Sequence, residues 1–255
     1  MVIHQMYKIS AFGDFTDIYP STESVLYLLN IFKESGMIPS MFQEVNFSVN
    51  PMLNQMGIIP QQTQSLQQRI ALMTQDASEK IAIGSYRLDY EILLKNDNEV
   101  NEKTLADHNK KISNAINQIF IKYNKSSSRL ALNTSSLISN MTEDDQLSFI
   151  KRYSNPISIY KDIVLDEWST RLMTKKKIEI NNTEELINII TCITKGQITQ
   201  IVGLTQNAVP TNGFVVDIDI NTIAENSANR FSFESISNFS SRALTIWNDL
   251  WSDII

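Results

Sequence analysis

The segment GFVVDIDINT, residues 213–222, holds two carboxylates spaced for shared chemistry. Asp217 and Asp219 alternate with Val216, Ile218 and Ile220. An extended chain sends neighbouring side chains to opposite faces, so the aspartates share one face about 6.5–7 Å apart. Two converging carboxylates can hold a hard divalent cation, which takes several oxygens at roughly 2 Å. A metal-dependent hydrolase or nuclease would need a third ligand, and Asp162, Asp166 and Glu167 are the candidates from a neighbouring strand. The same alternation describes a strand with one face on a core and the other in water, which requires nothing more. The sequence favours this plainer reading, and the metal site is the alternative.

A second charged set, Arg87, Asp89 and Glu91, recurs at every second residue. It reads as lateral charge pairing on a wet strand face or, more sharply, as a binding groove. Further chemistry is sparse. There are 2 His, at positions 4 and 108, and 1 Cys, Cys192. Cys192 lies among β-branched residues, where a buried and inert thiol is expected. A single cysteine permits no internal disulfide and fits a reducing compartment, so a cytoplasmic location is expected. Walker A, G-x-G-x-x-G, G-x-S-x-G, H-E-x-x-H and Cys-x-x-Cys patterns do not occur, and no cofactor is specified.

With 22 Lys+Arg against 28 Asp+Glu the formal net charge is −6, so a nucleic-acid partner is not expected. Lys175, Lys176 and Lys177 read as a solvated strand edge. Single-strand binding through Tyr86 and Tyr90 is a third, less favoured reading. MVIHQMYKIS lacks a signal-peptide pattern, and no stretch approaches the roughly 18 apolar residues of a membrane span. No membrane association is expected.

The elements that would position these residues follow from periodicity. Residues 2–10 predict a strand. A helix follows, capped by Ser21 or Thr22 and ended by Gly36. Residues 37–65 mix Pro, Gly and Gln and read as a long connection; loops of that length are uncommon unless functional, so the segment is either a partner-contacting arm or wrongly assigned as a loop. Residues 68–74 and 80–95 predict a hairpin, with a β-bulge at Gly84–Ser85 where the apolar phase shifts. A helix over 104–124 is predicted, with Thr104 and Asp107 as its capping box. A strand at 129–138 and a helix at 142–153 come next. SNPIS, 154–158, is the expected boundary between an N-terminal module, 1–153, and a C-terminal one, 158–255. The second module reads as strands at 164–180 and 185–202, the latter broken near Gly196. A turn at Asn212–Gly213, the strand carrying Asp217, and a helix over 232–252 capped by Ser232 complete it. The fold class is α+β: antiparallel sheets with long amphipathic helices in two modules.

GFVVDIDI followed by SFESISNFSSRALTIWNDLW resembles the C-terminal end of a poorly characterised, sporadically distributed bacterial family of about this chain's length. RIALMTQDASEKIAIGSYRLDYEI through SSRLALNT is similar to that family's paired strands, helix and return strand. The resemblance implies two α+β modules and a setting in bacterial or phage conflict, and no reaction. The expected function is a soluble, non-enzymatic interaction protein: an accessory, antitoxin-like or inhibitor component of an antiviral defence system. Its partner would be a protein encoded nearby, with a homo-oligomer also open. Trp251, four residues after Trp247, is expected at the margin of the last helix and available to that partner.

Overall fold

The computed structural model describes residues 2–54, 57–94, 102–154, 160, 162–199 and 210–255. The first half runs β1 (Val2–Gly13), α1 (Thr22–Ile31), β2 (Ile38–Asn54), β3 (Gly57–Met73), β4 (Glu79–Ile83), β5 (Arg87–Leu93) and α2 (Glu102–Lys122). The second runs β6 (Ser127–Ser139), α3 (Glu143–Tyr153), β7 (Trp168–Ile180), β8 (Thr183–Thr199), β9 (Pro210–Thr222) and α4 (Phe233–Ile254). These strands form one antiparallel sheet in the order β2-β3-β4-β5-β1-β6-β9-β8-β7. The protein is α+β. The two halves meet through β1 and β6, and β6 continues the sheet into β9.

Period-two alternation sorts the sheet into two faces. Tyr7, Ile9 and Ala11 of β1, Leu88, Tyr90 and Ile92 of β5, Leu130 and Leu132 of β6, and Val216, Ile218 and Ile220 of β9 are all buried. They pack under Ile112, Ile116, Ile119 and Phe120 of α2 and Ile236, Phe239, Ala243 and Trp247 of α4. The two helices approach closely because small residues meet between them, with Ser113 Oγ 2.8 Å from Ser240 Oγ. On the same side, α1 contacts α2, and α3 sets Phe149 against Phe214 with ring centroids 4.7 Å apart. The opposite face carries no helix among the described residues.

Local chemistry ends the elements. Ser21 Oγ accepts the Ser24 N–H at the start of α1, and Gly36, at φ 63, closes the 3₁₀ turn that follows it. Thr142 and Asp145 make a full capping box on α3, whose first turn is acidic and last turn basic. Asn181 and Asn182, at φ 49 and 62, supply the left-handed pair that joins β7 to β8.

Several expectations are corrected. Within 37–65, of which 55–56 lie outside the described residues, residues 38–54 and 57–65 are not a loop. They belong to β2 and β3, which pair from Ile38↔Met73 to Asn54↔Gly57, although only Ile70–Met73 of β3 reach β4. Gln and Pro hid the strands, and backbone pairing outweighed composition. The phase shift at Gly84–Ser85 is a tight turn between β4 and β5 and not a bulge, with the Gly84 N–H bonded to Arg87 O at 2.8 Å. β8 runs unbroken through Gly196, and Asn212–Gly213 pair within β9 instead of turning. α2 starts at Glu102, ahead of Thr104, so Thr104 is not its N-cap. β7 starts at Trp168, which leaves Asp166 and Glu167 outside it. Ser232 holds the N-cap position of α4 without a side-chain cap bond. The expected boundary at 154–158 lies, apart from Ser154, outside the described residues.

Gly196 and Gly213 are direct partners in different surroundings. A Cβ on Gly213 would stand 2.5 Å from Ile138 O and 2.9 Å from Leu137 Cδ1, whereas one on Gly196 would meet open space. Gly213→Ala is therefore expected to cost about 1–3 kcal/mol by overpacking. Gly196→Ala is expected to stay within about 0.5 kcal/mol of wild type in the same urea titration.

Candidate binding groove on the helix-free sheet face

The four central strands place the candidate residues in rows across the open face. Arg87 of β5 and Arg129 of β6 flank Phe12 of β1 in register. Their guanidinium carbons lie 5.1 and 4.9 Å from the Phe12 ring centroid, so one aromatic ring sits between two cations. In the next row, Asp89 pairs with Ser10 and Ser10 with Ala131. Ser10 Oγ donates to Asp89 Oδ1 at 2.5 Å, and Arg87 Nε donates to the same oxygen at 2.7 Å. A third row runs Glu91, Lys8, Asn133 and Asp219, with Lys8 Nζ 4.0 Å from Glu91. Ser135, Asp217 and Cys192 make a fourth.

These rows line a groove of about 440 Å³ that runs from Arg87 to Asp219 and includes Lys8, Phe12, Arg129, Asn133 and Asp217. Two polar atoms in it, Arg129 Nε and Asp219 Oδ1, are shielded from solvent and have no hydrogen-bond partner among the described residues. Leaving a buried polar group unpaired costs about 1–3 kcal/mol, so the groove holds one donor and one acceptor with unmet hydrogen-bonding capacity.

Arg87 thus meets Asp217 and Asp219 in one groove, which Asp89 adjoins through its ion pair with Arg87 and Glu91 through Lys8. The two sequence candidates belong to the same surface, with Asp217 exposed and Asp219 half-buried. The proposed third metal ligands are elsewhere. Asp162 pairs with Lys151 of α3 at 3.2 Å, and β8 separates β7, which follows Asp166 and Glu167, from β9. Among the described residues, no group of three His, Cys, Asp or Glu is placed to hold a metal ion. Cys192 is half-buried on the open face beside Asp217, a correction to the buried thiol. Tyr86 and Tyr90 do not form one platform: Tyr86 is exposed in a turn, and Tyr90 is buried under the helices.

Trp251 is also corrected. It is only 8% exposed. Its ring stacks on Trp247 at 5.7 Å, and both rings meet His4 edge-on at 5.1–5.2 Å. Trp247 Nε1 donates to Thr134 Oγ1 at 2.7 Å. A partner over the groove would not touch this cluster, which lies on the other side of the sheet.

The residues missed by sequence reasoning are Phe12, Arg129, Asn133 and Lys8. Their signal was present as the polar half of the alternations Lys8-Ser10-Phe12 and Arg129-Ala131-Asn133. What no linear pattern could supply is the register that sets Phe12 between two arginines.

The fold and groove define an α+β protein with helices on one sheet face and a polar, aromatic-centred groove on the other. No family model, curated protein or solved structure matches the chain. Among the described residues, no helix is long and apolar enough to cross a membrane.

Burial holds the His4 imidazole below its ordinary pKa of 6.5, and its Nδ1 lies 2.8 Å from Ser136 Oγ. The unfolded chain therefore takes up this proton more readily than the folded one. The associated stability is complete above pH 6.5 and is lost as pH falls through the depressed folded-state value. The melting temperature is expected to fall between about pH 7 and pH 5, and less steeply in His4→Phe. Burial lowers His108 as well, so a smaller slope should remain in that variant.

Proposed function

We propose that the chain is a non-enzymatic interaction protein and that a protein partner docks over the groove between Arg87 and Asp219. The observation that carries this reading is Phe12 held between Arg87 and Arg129, beside the unpaired Arg129 Nε and Asp219 Oδ1. Arginine and aromatic side chains at the centre of a patch are where binding energy concentrates. A partner that offers an acceptor to Arg129 and a donor to Asp219 satisfies both groups, while the surrounding ion pairs set its orientation. The resemblance to a sporadic bacterial family adds the context: an accessory, antitoxin-like or inhibitor component of a conflict system, acting in the cytoplasm on a protein encoded nearby.

The test is co-expression with neighbouring genes, followed by affinity measurement on the recovered complex. Phe12→Ala is expected to weaken the complex at least about tenfold, equivalent to roughly 1.4 kcal/mol, with the unfolding midpoint changed little. Asp219→Asn should weaken it too. A partner that binds both variants as tightly as wild type refutes the reading. The alternative, a metal-dependent hydrolase using Asp217 and Asp219, has two carboxylates in the groove and no third ligand among the described residues. Nuclease activity in the purified chain, abolished by Asp217→Asn with Asp219→Asn, would establish it instead.

A further inference from the structure

An open sheet has two edges, and here they differ in chemistry. Among the described residues β7 and β2 are the outermost strands, and each leaves backbone N–H and C=O groups without a ladder partner there on its outer side. β7 is guarded. Arg171, Lys175, Lys176 and Lys177 are all exposed along it, and lysines on an edge oppose pairing with another strand. β2 is not guarded. In its 17 residues the only charge is Glu44, and that carboxylate is turned to the chain itself. It accepts Arg69 Nε at 3.1 Å and the Ser85 N–H at 3.0 Å. From Val45 to Gln68 the sequence contains no charged residue.

The side chains at the base of this hairpin match that neutrality. Met41 is 58% exposed and Val45 41%, and Leu66, directly opposite Val45, is 63% exposed. Beyond Ile70 the β2–β3 pair extends past β4 as a two-stranded ribbon. Such a ribbon is marginal in water without a further strand or cover.

We propose that β2 pairs antiparallel with β2 of a second copy, joining the two sheets into one. The occupant is a second copy because of charge. An isologous pairing sets each strand against itself about a two-fold axis, so a charged strand would meet its own charge. β2 carries no free charge to oppose it, whereas a net charge of −6 keeps the rest of two copies apart. Pro39 and Pro51, which cannot donate to a ladder, bracket the pairing segment Ser40–Asn50. β3 and β4 separate β2 from β5, so each copy keeps its groove open and the dimer presents two.

The test is sedimentation velocity of the full chain across the micromolar range. A concentration-dependent dimer is expected. Met41→Lys with Val45→Lys should raise its dissociation constant at least about tenfold, and Leu172→Lys on β7 should leave it unchanged. Hydrogen exchange on wild type gives a second readout that needs no variant: amides of Ser40–Asn50 should slow as the dimer forms, while β7 amides do not. A monomer at every concentration, or a dimer whose β2 amides exchange as fast as in the monomer, overturns the proposal.

Discussion

The antiparallel pairing of β1 with β6 is the constraint on which the rest of the structure depends. It joins the two halves and sets the register that brings Arg87, Phe12 and Arg129 into one row. It also contains an irregularity between His4 and Met6, where the register shifts by one residue. Residues two apart normally share a face. Here the extra residue at Gln5 sends His4 under α4 against Trp247 and Trp251, while Met6 lines the groove on the other face. One inserted residue thus supplies a side chain to both the helix core and the binding face.

The two faces are stabilised by different forces. Under the helices, burial of Tyr7, Ile9, Phe120, Phe239 and Trp247 dominates, because apolar area removed from water stabilises at about 25 cal/mol per Å². Some of the polar groups there are paired, as with Tyr7 OH on Asn109 Oδ1 at 2.8 Å, while others, such as Ser127 Oγ and Tyr123 OH, are buried without a partner among the described residues. On the open face, ion pairs such as Arg87–Asp89 are exposed and contribute no more than about 1 kcal/mol each. Their role is to orient the groove side chains. The Arg69 network has a separate task. Arg69 is 2% exposed and binds Glu44, Gln67 and the Thr16 carbonyl, which fixes the base of the β2–β3 hairpin to the loop after β1.

Legibility in the sequence followed the strength of the periodic signal. The helices carrying Ile112–Phe120 and Ile236–Trp247 were readable because their apolar residues recur at helical spacing. β9 was readable because Asp217 and Asp219 alternate with isoleucine and valine. β2 and β3 were not, since their Gln, Asn and Pro content resembles a loop and their order comes from pairing along 17 positions. The phase change at Gly84 was visible, but its cause was not. A bulge and a tight turn leave the same mark in one strand, and only the β4–β5 pairing tells them apart.

By itself, the sequence determined the two faces of its regularly alternating strands and helices, because alternation and helical spacing are local consequences of backbone geometry; it did not determine the burial of single residues such as Trp251 and Cys192. Arg87, Asp89, Asp217 and Asp219 were therefore identifiable as polar-face residues without knowledge of the fold. Only the tertiary structure decided that Arg87, Asp217 and Asp219 share a groove, that Phe12 and Arg129 stand among them, and that Trp251 is packed away beneath the sheet. Those outcomes depend on strand order and register, which are set by the burial of all strands together and leave no mark within any one of them.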